Sequence, residues 1–122
     1  MAMKILIAED DELMLKTLEF RLKKDQHQII VARDGREALQ KIEEHLPDLV
    51  ISDIMMPYNS GLEIVSAVKE RLNIPIIILS AMGQEDVVLE AFKLGADDFL
   101  TKPFSPNELS VRIRRFSLGI QK

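Results

Sequence analysis

The sequence predicts a doubly wound α/β fold in which a sheet of five parallel strands carries helices on both faces. Five short apolar segments alternate strictly with five longer amphipathic segments along the 122 residues. Strict alternation with short loops implies right-handed crossovers, which make the strands parallel. The apolar segments are rich in β-branched residues and do not alternate with polar ones, which is typical of strands buried on both faces.

The first two strands and helices are predicted from apolar runs and from the residues that end them. Residues 4–8 and 29–32 are short aliphatic runs, and we assign them to strands. Residues 12–24 carry leucines among charged residues, so we assign them to a helix. Asp34 can cap the next helix, which we expect to end just before Pro47, because proline cannot continue a helix.

The third and fourth strands enclose a helix with a well-marked start. Residues 49–52 and 75–79 are the predicted strands, and the second is the most apolar of the five. Between them, Ser60 and Glu63 have the spacing of a capping box, in which each side chain accepts a backbone hydrogen bond from the other residue. We therefore predict a helix that begins here and ends near Leu72.

The last three elements complete the alternation. Residues 84–94 form the fourth predicted helix, and Gly95 suits its C-terminal cap. Residues 98–100 form a short fifth strand. Pro106 suits the first position of the fifth helix, and Glu108 completes a capping box at the same end.

The composition fits one domain and excludes several kinds of site. We expect residues 1–122 to form a single domain with a core at about 4–117 and a tail or linker start at 118–122. The absence of cysteine excludes disulfides, thiolate catalysis and zinc–cysteine sites. No apolar run approaches the roughly 18–20 residues that span a bilayer, so we expect a cytoplasmic protein without a membrane partner. The net charge of −4 makes the domain as a whole a poor nucleic-acid binder.

Polar side chains follow four of the five predicted strands. In an open sheet of parallel strands, ligands bind beyond the carboxyl ends of the strands. Carboxylates, hydroxyls and one ammonium group arrive at this edge. They are Glu9, Asp10 and Asp11 after the first strand, Asp53 after the third, Ser80 after the fourth, and Thr101 and Lys102 after the fifth. We expect Asp11 to cap a helix, whereas the joint placement of the others predicts a functional site.

This combination of groups suits phosphoryl transfer. Clustered carboxylates repel one another and need a cation, and oxygen ligands in a chain without cysteine favour Mg²⁺ over zinc or copper. The ammonium of Lys102 and the hydroxyl of Ser80 can bind the oxygens of a transferring phosphoryl group. Because carboxylates act as nucleophiles in such transfers, Asp53 on the central strand is best placed to attack.

The site residues lie in four segments, which are residues 7–11, 51–57 with Gly61, 79–81 and 95–104. In order and in spacing, these segments resemble the receiver domain of response regulators in two-component signalling. One such segment would be weak evidence, but four at the right spacing are specific. The resemblance covers residues 4 to about 116 and is closest to the receivers of the winged-helix DNA-binding class. It implies a flavodoxin-like fold with strand order 2-1-3-4-5.

The resemblance implies a phosphorylation switch rather than an enzyme. Asp53 would accept a phosphoryl group from the phosphohistidine of a sensor histidine kinase or from a small donor such as acetyl phosphate. Mg²⁺, or Mn²⁺ in its place, would be the cofactor. Its ligands would be Glu9, Asp10, Asp53 and the backbone carbonyl of Met55. Lys102, followed by a cis peptide bond to Pro103, would pair with Asp53 and then with the phosphoryl oxygens.

The resemblance also implies a switch and a partner face. Ser80 would move toward the phosphoryl group and Phe99 would turn inward behind it, which remodels the face of the fourth helix, fifth strand and fifth helix. This face would control an output domain, and so transcription, or would pair two copies as a homodimer. DNA would be contacted only through an output domain that these residues lack. The predicted partner-face residues are Val88, Asp97, Asp98, Glu108 and Arg112. Val88 stands where a charge is usual, which favours a more apolar partner surface.

Three alternatives remain open. A phosphohydrolase with an aspartyl-phosphate intermediate usually carries a second aspartate two residues after the nucleophile, where this chain has Met55. The intact acidic set and Lys102 count against a receiver-like binding module that never takes phosphate. The lack of a Gly/Ser/Thr-rich loop after the first strand counts against a flavodoxin-like cofactor binder.

Met55 and Met82, two residues beyond Asp53 and Ser80, follow the family trend for slow self-dephosphorylation.

Overall fold

The computed structural model describes residues 2–58 and 60–120, and in this part of the chain five strands alternate with five helices. In chain order they are β1 (Lys4–Ala8), α1 (Glu12–Lys24), β2 (Gln28–Ala32), α2 (Gly35–His45), β3 (Leu49–Asp53), α3 (Gly61–Arg71), β4 (Ile76–Ser80), α4 (Glu85–Lys93), β5 (Asp98–Thr101) and α5 (Pro106–Ile120). Neighbouring strands are parallel, and their order is β2-β1-β3-β4-β5. The predicted flavodoxin-like fold and strand order are therefore confirmed.

Each face of the sheet carries its own apolar core, because alternate side chains of a strand point to opposite faces. The core under α2, α3 and α4 includes Leu6, Val50, Ile76, Ile78, Ala38, Ile42, Ile64, Val65, Val68, Val88 and Ala91. The core under α1 and α5 includes Ile5, Ile7, Leu49, Ile51, Ile77, Leu79, Leu15, Leu18, Leu22, Leu109 and Ile113. The central strands β3 and β4 are buried along their whole length. This burial explains why their sequences are uniformly apolar up to the last residues.

The helices begin where the capping sequences predict. The Asp11 carboxylate accepts a hydrogen bond from the Met14 N–H at the start of α1. Asp34 does the same for the Glu37 N–H at the start of α2. α3 begins with the predicted capping box, formed by the residue before it and the third residue within it. Each cap satisfies amide groups that a helix start otherwise leaves without partners.

The strand β4 begins one residue later than predicted. Pro75 has no N–H to give to the sheet, so the strand starts at Ile76. The N–H of Ile76 donates to Asp97 Oδ2 at 2.9 Å, and the N–H of Asp97 donates back to the Ile76 carbonyl at 3.0 Å. Asp97 therefore fixes the start of β4 as well as the approach to β5.

The helix α5 continues through the predicted core boundary at residue 117 and reaches Ile120. The last two residues of the predicted tail, 121–122, lie outside the described part of the chain. Within residues 2–58 and 60–120, no helix combines the length and the apolar character needed to cross a membrane.

Candidate functional site

The carboxyl ends of three neighbouring strands carry site residues in register. β3, β4 and β5 each extend one residue further than predicted, so Asp53, Ser80 and Thr101 are the last residues of their strands. Asp53 lies opposite Leu79, and Ser80 lies opposite Thr101. The backbone of these residues is therefore held by the sheet, which fixes their positions more firmly than a loop would.

Three carboxylates cluster at this edge. One carboxylate oxygen from each of Glu9, Asp10 and Asp53 lies within 4.8 Å of the other two. Glu9 and Asp53 are buried, whereas Asp10 is exposed. The Glu9 N–H donates to the Ala32 carbonyl at 3.0 Å, which holds the turn after β1 against β2. The cluster is thus partly shielded from water and open on one side.

Lys102 bridges the two buried carboxylates. Its Nζ lies 3.1 Å from Asp53 Oδ2 and 2.9 Å from Glu9 Oε1. Its backbone N–H donates to the Ser80 carbonyl at 2.7 Å, and its peptide bond to Pro103 is cis, as predicted. Lys102 therefore joins the end of β4 to the acidic cluster.

Burial and charge shift the pKa values of these groups. Burial raises the pKa of Glu9 to about 7, against the opposing effects of Lys102 and the Asp11 N–H. Burial also raises the pKa of Asp53, although the Lys102 charge acts to lower it. Burial by itself would lower the pKa of Lys102, but its contacts with Glu9 and Asp53 raise it. The carboxylates of Glu9 and Asp53 therefore take up a proton more readily than carboxylates in water, in spite of the nearby ammonium.

The donor set fits a hard divalent cation. Glu9 Oε2 accepts the Asp11 N–H at 3.0 Å. Glu9 Oε1, by contrast, is buried with no hydrogen-bond partner among the described residues, and its close approach to the Lys102 Nζ is an ion pair without hydrogen-bond geometry. A buried carboxylate oxygen without such a partner is costly unless something else binds it. Three clustered carboxylates, one of them with an oxygen that accepts no hydrogen bond among the described residues, suit Mg²⁺ or Mn²⁺.

Gly61 brings the next helix close behind the acidic cluster. Its N–H donates to the Ile54 carbonyl at 2.9 Å. A Cβ at this position would lie 2.7 Å from the Asp53 carbonyl oxygen and 2.6 Å from Ile54 Cα. Such a distance leaves no room for a side chain. Met55, in the same loop, is exposed, and the proposed role of its carbonyl stays a prediction.

Phe99 lies on the edge strand β5 with its ring turned toward solvent. The ring is 38% exposed and packs against the ring of Phe92 on α4, with centroids 5.7 Å apart and an interplanar angle of 87°. Beside it is a cavity of about 210 Å³ that reaches Ser80. Its lining residues are Ser80, Glu85, Val88, Leu89, Phe92, Phe99 and Thr101. A mostly apolar space therefore separates the outward ring from the buried hydroxyl.

The predicted place of Val88 on the partner face is wrong. Val88 is only 7% exposed and belongs to the core beneath α4, together with Ala91. The exposed apolar residues of this helix are Leu89 and Phe92. The reason is the rotation of the helix: residues three apart, such as Val88 and Ala91, share the face that packs on the sheet.

Two of the acidic residues predicted for the partner face, Asp97 and Asp98, already have partners within the chain. Asp97 Oδ2 lies 2.8 Å from the Lys69 Nζ, in addition to its contact with the start of β4. Asp98 pairs with Arg112 at 2.7 Å and with Arg115 at 3.3 Å. Glu108 lies in the first turn of α5. Lys69, Arg115 and Phe92 were not predicted as site residues from the sequence, since nothing in their spacing distinguishes them from other residues of their helices.

Comparison with known proteins gives the family. The sequence model described as "Response regulator receiver domain" matches residues 5–114. The alkaline phosphatase synthesis transcriptional regulatory protein PhoP of Bacillus subtilis (strain 168) is 38% identical over 112 residues. That match covers 91% of this chain and 47% of PhoP, so the chain spans about half the length of this relative.

Solved receiver domains have the same fold. The receiver domain of the Francisella response regulator 1452 superposes with a TM-score of 0.86 at 36% identity, covering 93% of this chain and 95% of that one. The signal receiver domain of a signal transduction histidine kinase from Syntrophus aciditrophicus superposes with a TM-score of 0.89 at 32% identity, covering 98% and 93%. With the acidic edge and the sheet order described above, these matches show that the chain belongs to the response regulator receiver domain family.

Proposed function

We propose that this receiver domain is a phosphorylation switch whose acceptor is Asp53. The observation that carries the proposal is the position of Asp53 at the end of the central strand, with the Lys102 ammonium at 3.1 Å and a carboxylate oxygen of each of Glu9 and Asp10 within 4.8 Å. A nucleophilic carboxylate next to a cation and a hard-metal donor set is what an aspartyl phosphotransfer needs. The donor would be the phosphohistidine of a sensor histidine kinase or a small acyl phosphate.

The transfer is an in-line displacement at phosphorus. An Asp53 carboxylate oxygen attacks the phosphorus atom, a new P–O bond forms, and the P–N bond to histidine or the P–O bond to acetate breaks. The leaving group takes the bonding electron pair. The Lys102 charge lowers the pKa of Asp53 against the larger, opposite effect of burial, and its ammonium would then neutralise oxygens of the transferred group.

Glu9, Asp10 and Asp53, with the backbone carbonyl of Met55, would hold Mg²⁺ or Mn²⁺. When bound, the divalent cation supplies positive charge that offsets the charge of the phosphoryl oxygens. The clustered carboxylate oxygens support this assignment, and so does the buried Glu9 Oε1, which accepts no hydrogen bond among the described residues. Glu9 stays buried and orients the site, while exposed Asp10 lies on the side open to solvent.

Phosphorylation would change the α4–β5–α5 face. The Ser80 hydroxyl would bind a phosphoryl oxygen, and Phe99 would turn into the cavity between its present position and Ser80. That face would regulate an output domain or a partner, or would join two copies through Leu89, Phe92, Asp98, Glu108 and Arg112. PhoP is a transcriptional regulatory protein of about twice this length, so DNA contact would belong to an output domain beyond these residues.

The domain would not turn over a substrate beyond its own phosphoryl group. A phosphohydrolase would need an acid two residues after the nucleophile, and this chain has Met55 there. Met55 and Met82 are 54% and 79% exposed and offer no hydrogen-bonding group strong enough to position water. Self-dephosphorylation should therefore be slow.

Acetyl phosphate with Mg²⁺ tests the proposal directly. Intact-mass measurement should show one added phosphoryl group on the wild type and none on Asp53→Asn. Asp86→Asn, a matched change at an exposed helix position, should be phosphorylated as the wild type is. If the wild type gains no phosphoryl group from acetyl phosphate or from a panel of phosphorylated histidine kinases, the passive binding module becomes the better hypothesis.

A further inference from the structure

The rings of Phe92 and Phe99 form an edge-to-face pair on the surface of the domain. Their centroids are 5.7 Å apart and their planes meet at 87°. Phe92 is 39% exposed and Phe99 is 38% exposed, so each ring shields part of the other from water. Such a pair shifts a two-state equilibrium by roughly two- to twelvefold beyond the effect of buried area.

A cavity next to Phe99 offers its ring a second position. The cavity of about 210 Å³ next to it is lined mainly by the apolar side chains of Val88, Leu89 and Phe92, with the Ser80 hydroxyl at its inner end. An apolar cavity of about 150 Å³ is large enough to take up benzene. The phenyl ring of Phe99 would therefore fit by rotation about its own side-chain bonds.

The backbone of Phe99 is fixed on both sides. Its N–H donates to Asp98 Oδ1 at 2.8 Å, and its carbonyl accepts from Arg112 Nη1 at 3.0 Å. Arg112 Nη1 also donates to Asp98 Oδ1 at 2.7 Å, so the same two side chains that bond the Phe99 backbone also bond each other. Because the strand is held in this way, a rotation of the ring would need no shift of β5. The contacts of the ring itself then decide between the outward and the inward position.

We propose that Phe92 is a positioning residue that holds Phe99 outward in the resting domain. Loss of the Phe92 ring removes a contact made in the outward state and leaves the backbone clamp intact. The ring of Phe99 then enters the cavity more often, even when Asp53 carries no phosphoryl group. The link from the inward ring to signalling rests on the proposed function, whereas the ring equilibrium does not.

A consequence follows for ligands of the acidic edge. Any ligand that prefers the inward state binds more tightly when that state is more populated, by up to the same factor. Phe92→Ala should therefore raise the affinity for beryllofluoride with Mg²⁺ by roughly two- to twelvefold. Phe92 lies on α4 and is not part of the acidic site, so this change comes through Phe99.

Fluorine NMR of a single 4-fluorophenylalanine at position 99 tests the proposal. A soluble paramagnetic agent reports how exposed the fluorine is. Phe92→Ala should lower this exposure and move the resonance toward that of the beryllofluoride-bound protein, and Phe92→Leu should do so more weakly. Phe20→Ala, at a 74% exposed position on α1, should change neither. A general loosening of the fold would raise the exposure of the fluorine, so it cannot imitate the expected result.

The two hypotheses fail in different ways. If Phe92→Ala and Phe92→Leu leave the fluorine as exposed as before, the proposal for Phe92 is wrong, whatever Asp53 does. If the fluorine turns inward in Phe92→Ala but beryllofluoride with Mg²⁺ has no effect on any variant, the positioning role stands and the phosphorylation switch fails.

Discussion

Lys102 and Asp53 form a salt bridge at the carboxyl edge of the sheet, with Nζ 3.1 Å from Oδ2. The same ammonium lies 2.9 Å from Glu9 Oε1. One cation is thus shared by Asp53 and by a second carboxylate of the cluster. A phosphoryl group or a divalent cation that enters the site must change the contacts that Lys102 makes with these two carboxylates. The position of Lys102 therefore depends on whether either one is bound.

The first prediction concerns the charge of Lys102. Lys102→Met should slow phosphorylation of Asp53 by acetyl phosphate on the order of 10²-fold, because one preorganised charge on the phosphoryl oxygens is lost. It should also destabilise the fold by about 2 kcal/mol at neutral pH, because two buried carboxylates lose their cation. Mass spectrometry of samples quenched at successive times measures the phosphorylation rate, and urea unfolding measures the stability. Lys93→Met, at an exposed position of α4, is the control, and an unchanged phosphorylation rate in Lys102→Met would contradict the assigned role.

The second prediction concerns pH and Glu9. Burial raises the pKa of Glu9 from 4.5 to about 7, so between these values the folded protein binds a proton that the unfolded chain has released. Stability of the metal-free protein should therefore fall as pH rises from about 4.5 through 7. Glu9→Gln removes this effect and should gain on the order of 1–3 kcal/mol relative to wild type at pH 8, but little at pH 4.5.

Urea unfolding with a chelator, at several pH values, measures this difference between wild type and Glu9→Gln. For Glu90→Gln, at an exposed position of α4, the free energy of unfolding should depend on pH as it does in the wild type. Parallel curves for Glu9→Gln as well would mean that folding does not shift the pKa of Glu9.

The convergence of the site residues at one edge of the sheet was predictable, because it depends only on the order of residues along the chain. Once parallel strands are inferred, Glu9, Asp53, Ser80 and Lys102 must come to one edge, whatever the details of packing. The sharing of Lys102 between Glu9 and Asp53 was not predictable in the same way. Sequence shows that charges are near one another, but only the positions of side-chain atoms show which carboxylate receives the cation.

The partner face was less predictable for the same reason. Val88 and Leu89 are neighbours in sequence, and only the rotation of α4 on the sheet decides that the first is buried and the second exposed. Asp97 and Asp98 are equally adjacent, yet one anchors the start of β4 and the other pairs with α5. The pair of Phe92 and Phe99 depends on side-chain rotation as well, which no periodicity encodes.

The third prediction concerns the lifetime of the phosphorylated state. Met55 is exposed in the loop directly after Asp53, and its thioether is a weak acceptor that does not orient water. Met55→Asn places a donor and an acceptor there and should speed loss of the phosphoryl group by roughly tenfold, the effect of one good hydrogen bond. Met55→Leu should leave the lifetime unchanged. A wild-type half-life of seconds in Mg²⁺, or equal lifetimes for the Asn and Leu variants, would show that this position does not limit hydrolysis.

The fourth prediction concerns the close approach of Gly61 to the end of β3. A Cβ there would lie 2.6 Å from Ile54 Cα and 2.7 Å from the Asp53 carbonyl oxygen, and both are backbone atoms that cannot move without moving β3. Gly61→Ala should therefore cost about 1–3 kcal/mol of stability as an overpacked site, and should also slow phosphorylation, because Asp53 must shift.

Gly83→Ala gives the matched comparison for this position. Gly83 has φ +87°, and among the described residues no atom lies within 4 Å of the place that a Cβ would take. The cost of Gly83→Ala is therefore backbone strain alone, about 1 kcal/mol. Thermal and urea unfolding should then show that Gly61→Ala is less stable than Gly83→Ala. Only Gly61→Ala should also be phosphorylated more slowly than the wild type. If the two variants phosphorylate equally fast, the position of Asp53 does not depend on the contact with Gly61, and the acceptor carboxylate must be held by Lys102 and the sheet alone.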